Sequence, residues 1–73
     1  MSDKTTITVR LDDGRHERLP AGSTLAELVA RLVPVPEAVT TAVDGRFVPR
    51  AAREREILQD GQTVLLFQPI VGG

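Results

Sequence analysis

The residues with most chemical potential in this 73-residue sequence are the last two, Gly72-Gly73, and the carboxylate they carry. A carboxylate oxygen is a poor leaving group, so acyl chemistry at this position requires prior activation. An activated acyl group must be shielded from water, which calls for a site that closes tightly around it. Glycine suits the approach to such a site, because it lets backbone pass close to other atoms and takes dihedrals closed to other residues. Pro69 ends the preceding apolar run and stiffens the exit. From Pro69 to Gly73 the chain spans about 16 Å when extended, enough to thread a channel while the globular body stays outside. If the terminus reacts, Ile70, Val71 and Gly72 would thread and Gly73 would react; the other reading of a terminal glycine pair is a frayed chain end.

The remaining reactive side chains offer little to compete. There is no cysteine, so the chain has neither a thiol nucleophile nor a disulfide or thiolate zinc site to supplement its core. His16 is the sole histidine and has no carboxylate cluster at ligand spacing, so it reads as a solvated residue and not as a metal ligand. Asp12 and Asp13 are explained by a turn. Arg50, Arg53 and Arg55, interleaved with Glu54 and Glu56, read as a solvated helical turn, with Arg50 and Glu54 at the spacing of an i,i+4 ion pair. No phosphate-binding glycine loop occurs, so any nucleotide must be held by another protein. The formal net charge of -1 gives no electrostatic footprint for nucleic acid. No apolar run approaches the length of a membrane span, and the N-terminal residues carry no secretory pattern. The expectation is a cytoplasmic protein.

The elements that must position the terminus follow from periodicity. Residues 5–11 alternate, with Ile7, Val9 and Leu11 on one face, as in a half-buried strand. Asp12-Asp13-Gly14 turns the chain into residues 15–19, whose charges suit a sheet edge. Thr24 with Glu27 forms a capping box for a helix whose stripe is Leu25, Leu28, Val29 and Leu32, and Pro34 and Pro36 stop it. A strand over residues 39–43 turns at Asp44-Gly45 into a short strand, Arg46 to Val48. After the charged turn, Ile57 and Leu58 are expected to anchor the chain to the core, and residues 63–67 form the last strand. The first and last strands are the most apolar and belong side by side, parallel, at the centre. The result is an α+β fold: a mixed sheet of four or five strands on one helix, the ubiquitin-like β-grasp, in one domain over residues 1–73 with flexible ends at 1–4 and 69–73. The last strand is apolar on both faces. Val64 and Leu66 are assigned to the core, and Leu65 and Phe67 to an exposed docking patch beside the exit.

The stretches from Ala42 to Arg50, Ile57 to Gly61 and Val64 to Gln68, then Val71-Gly72-Gly73, resemble the ThiS family of thiamine-biosynthesis sulfur carriers. Ala21-Gly22-Ser23-Thr24-Leu25 is similar to that family's helix start. The resemblance implies that a ubiquitin-activating-like adenylyltransferase adenylates Gly73 with ATP, which the partner binds, and that the chain needs no cofactor and catalyses nothing itself. A persulfide from a cysteine desulfurase or a related donor would then leave a C-terminal thiocarboxylate, whose sulfur passes to a thiazole synthase. Arg50 joins Leu65 and Phe67 as an implied docking residue. Sulfur delivery to molybdopterin, cysteine or a secondary metabolite, and ubiquitin-like attachment to lysines, use the same terminus and stand beside this reading.

Overall fold

The computed structural model describes residues 5–67. The expected looseness of both ends, and Ile70, Val71, Gly72 and Gly73 themselves, lie outside the described residues. Five strands form one sheet in the order β2-β1-β5-β3-β4. They are β1 (Thr6–Leu11), β2 (His16–Pro20), β3 (Thr40–Val43), β4 (Arg46–Val48) and β5 (Thr63–Phe67). Among the described residues the other elements are one α-helix, α1 (Leu25–Leu32), and two 3-10 helices, Pro36–Ala38 and Arg50–Arg55. The last strand is central, as expected, parallel to β1 and antiparallel to β3, while the polar β2 is an edge.

Each element has a local cause. In β1 the inward residues Ile7, Val9 and Leu11 are buried, and Leu19 joins them from β2. The helix starts as the capping box requires: the Glu27 N–H donates to Thr24 Oγ1 (3.2 Å), and the Thr24 N–H donates to Glu27 Oε1 (2.8 Å). Two otherwise orphaned donors are thereby satisfied. A third, the Leu25 N–H, donates to the Glu56 carbonyl at 2.8 Å. Leu25, Leu28 and Val29 are fully buried, and Leu32 packs half-buried at the margin. Val33 caps the helix, its N–H donating to the Val29 carbonyl, and Pro34 and Pro36 follow.

Thr41 and Val43 of β3, and Val39 just before it, are buried in the core, alternating with Thr40 and Ala42 on the outer face. Asp44 and Gly45 both have positive φ, 52° and 83°, the combination of a two-residue type I′ hairpin between β3 and β4. Leu58 is buried, but Ile57 is 53% exposed. The expectation of a paired anchor therefore fails at Ile57, which forms an antiparallel bridge with Thr24, so consecutive residues face opposite ways.

Candidate functional site

The candidate site is the end of the sheet at which β5 reaches Phe67, the last residue described. Three side-chain clamps fix the entry of that strand and hence the direction of its exit. On the β1 flank the Thr8 N–H donates to Asp60 Oδ1, and the Gly61 N–H to the Thr8 carbonyl, both at 2.8 Å. On the β3 flank Asp44 exchanges two bonds with Thr63: its N–H donates to the Thr63 carbonyl (2.8 Å), and its Oδ1 accepts from the Thr63 N–H (3.0 Å). Between them the Gln59 N–H donates to Gln62 Oε1 at 2.7 Å. Asp44 thus serves two ends at once, shaping the β3–β4 turn and seating β5.

Register shows how β5 projects. Its pairing with β1 reaches Leu11 opposite Val64, where β1 ends. Pairing with β3 continues through Leu65, Leu66 and Phe67. The strand therefore outruns its parallel neighbour by roughly 10 Å at the usual rise, and its last three residues are flanked by strand on one side.

The faces of β5 divide as its sequence suggests. Val64 is completely buried, and Leu66 packs against the core. Phe67 is 48% exposed, and Leu65 is half-buried on the same outer face. Phe47, Ala42 and Leu65 lie on one rung across β4, β3 and β5. Phe47 is 61% exposed, whereas Ala42, its partner on β3, is buried. The outer apolar surface is therefore larger than the Leu65–Phe67 pair expected from sequence. Phe47 was missed because a three-residue strand shows too little alternation to assign its face; its cross-strand position relative to Leu65 is a tertiary fact.

Arg50 opens the second 3-10 helix and is exposed, at the same end of the sheet as Thr40 and Phe67. The expected Arg50–Glu54 pair is not formed: among the described residues the ion pairs are Arg15–Asp13 and Arg46–Glu56, each short at 2.7 and 2.6 Å. A 3-10 helix advances by three residues per turn, so i and i+4 do not align on it.

Arg53 departs furthest from expectation. It is not solvated but 4% exposed. Its Nε donates to Thr41 Oγ1 (3.1 Å), Nη1 to the Pro36 carbonyl (2.9 Å) and Nη2 to the Val39 carbonyl. The Thr41 hydroxyl in turn donates to the Val48 carbonyl at 2.9 Å. Burial lowers the pKa of Arg53 from the ordinary arginine value, the neighbouring Arg50 charge lowers it further, and Glu37 opposes both. A signal for this lay in Thr41, which shares the inward face with Val39 and Val43, where a hydroxyl needs a partner.

His16 is exposed on edge strand β2. No group of three or more His, Cys, Asp or Glu residues arranged to hold a metal occurs among the described residues. No helix among them is long and apolar enough to cross a membrane.

One helix against a five-stranded mixed sheet, with a parallel central pair and hairpins on either side, defines a ubiquitin-like β-grasp protein. The family model described as the ThiS family matches residues 6–73, and the chain belongs to that family. The sulfur carrier protein ThiS of Escherichia coli (strain K12) is 40% identical over 53 residues, covering 73% of this chain and 80% of that protein. Among solved structures, the thiamine biosynthesis protein ThiS from Geobacter metallireducens superposes with a TM-score of 0.72 at 24% identity, over 92% of this chain and 100% of that one. The Haloferax volcanii HVO 2177 protein gives a TM-score of 0.70 at 21% identity, over 100% and 92% of the respective chains. Identities this low speak for the shared fold.

Proposed function

We propose that this chain is a sulfur carrier for thiamine biosynthesis, acting through the carboxylate of Gly73. The observation that carries this reading is the family match, which runs through Gly72-Gly73, and the name of the Escherichia coli relative agrees with it. The geometry of β5 supports it: a strand clamped at its entry and extended past its neighbour is a rigid base for a presented terminus.

In the chemistry that follows, a ubiquitin-activating-like adenylyltransferase joins the Gly73 carboxylate to AMP, and pyrophosphate leaves. The terminal sulfur of a persulfide, supplied by a cysteine desulfurase or a carrier of its product, attacks the acyl carbon and AMP departs. A thiol then cleaves the sulfur–sulfur bond of the acyl disulfide, leaving the thiocarboxylate. The chain has no cysteine, so both sulfur nucleophiles belong to partners. Its role is that of a recyclable substrate, without catalytic groups or a cofactor of its own, in the cytoplasmic compartment of those partners. A thiazole synthase receives the sulfur. Leu65, Phe67 and Arg50 meet the partner body while Ile70, Val71 and Gly72 enter its channel.

The test is intact mass after incubation with the adenylyltransferase, ATP and a sulfur donor. The expected product has one oxygen replaced by sulfur, and Gly73→Ala or deletion of Gly73 abolishes it. An unchanged mass for the parent chain sinks the carrier reading; adducts on lysines in its place identify a protein modifier.

A further inference from the structure

Arg53 is a buried cation whose three acceptors, the Thr41 hydroxyl and the Pro36 and Val39 carbonyls, are all neutral. Buried charges are ordinarily met by an opposite charge, yet among the described residues no carboxylate forms an ion pair with it. Arg50 stands three residues earlier on the same 3-10 helix, the spacing that brings two side chains onto one face. Arg50 and Arg53 both line a hollow of about 250 Å³, whose walls also include Glu37, Thr40 and Phe47. Two arginines against one glutamate leave this hollow positive. A smaller neighbouring hollow of about 170 Å³ also has both arginines, but Glu37 and Glu54 balance them there. Charge thus singles out the larger one.

Its position ties it to the outer apolar face. Thr40 in its wall is the cross-strand partner of Phe67, and Phe47 shares its rung with Leu65. We propose that this hollow receives the carboxylate of an Asp or Glu side chain from the protein that docks on Phe47, Leu65 and Phe67, with exposed Arg50 as its direct partner and Arg53 as a fixed positive charge beneath. A singly charged carboxylate fits better than a phosphate, because Glu37 at the same hollow repels a second negative charge. Continuity with the apolar face makes the source a partner protein and not a free acid. The proposal rests on the carrier reading and adds to it the chemistry of the partner surface.

The experiment measures pyrophosphate release by the adenylyltransferase as a function of carrier concentration for the parent chain, Arg50→Lys, Arg50→Ala and Arg50→Glu. Arg50→Glu is expected to raise KM about tenfold with kcat unchanged, Arg50→Ala to raise it less, and Arg50→Lys to stay near the parent. High salt shrinks the differences, as for charges at a wet rim. Arg50 is exposed, so the thermal midpoints of all four stay alike. If the parent is adenylated and Arg50→Glu and Arg50→Ala keep its KM, the acid-accepting hollow is overturned while the carrier reading stands. A parent chain that is never adenylated overturns both.

Discussion

Arg53 shows how a single side chain can be read correctly for its element and wrongly for its place. The stretch from Arg50 to Glu56 forms a helical turn as its composition predicts, and its charges alternate as on a wetted surface. The turn lies against the first residues of β3, however, so one arginine must pass inward, where it supplies donors to two carbonyls and the Thr41 hydroxyl. Charge periodicity carries no information about that neighbour, which comes from elsewhere in the chain. Arg53→Met keeps an apolar stem of similar length but removes all three donors. Leaving buried acceptors unpaired is costly, so a loss of about 3 kcal/mol in unfolding free energy is expected, measured by urea denaturation. A loss within experimental scatter would show that water satisfies these groups.

At the scale of elements, what was legible is what is local. The capping box, the proline stop and the Asp44-Gly45 hairpin each depend on residues a few positions apart, and each is present. Face assignment along β1 was legible from its alternation, and along β5, apolar on both faces, Val64 and Leu66 do face the core as assigned. It was not legible for Ile57, where a single isolated bridge sets the orientation, nor for Phe47 on its three-residue strand. The helix start is the best test of the local logic. In Thr24→Ala the Glu27 N–H loses its acceptor, and the cost is expected at about 1 kcal/mol, read from thermal or urea unfolding. Thr24→Ser should recover most of it, since the hydroxyl oxygen is what accepts the bond. Equal stability for the parent and Thr24→Ala would mean that the Leu25 bond to Glu56 suffices to hold the helix end.

For the molecule as a whole, β5 completes the core with one face and carries exposed apolar surface on the other, the face proposed above for docking. The central placement of this strand was legible from its apolarity, whereas the length by which it outruns β1 depends on register, which pattern alone does not set. The two faces predict opposite behaviour from substitutions three residues apart. Val64→Ala opens space among fully buried neighbours, and truncations of that kind cost about 2 kcal/mol. In a chain of 73 residues that lowers the thermal midpoint by roughly 12 °C. Below that midpoint the folded Val64→Ala protein keeps its KM for adenylation, because the outer face is untouched. Phe67→Ala removes a ring that is half exposed, so stability falls by under about 1 kcal/mol, while KM rises several-fold as the partner loses an apolar contact. Thermal unfolding and adenylation kinetics on the two variants check this crossed pattern. If Phe67→Ala proved the more destabilising and left KM unchanged, the ring would belong to the core and the docking surface would have to lie elsewhere.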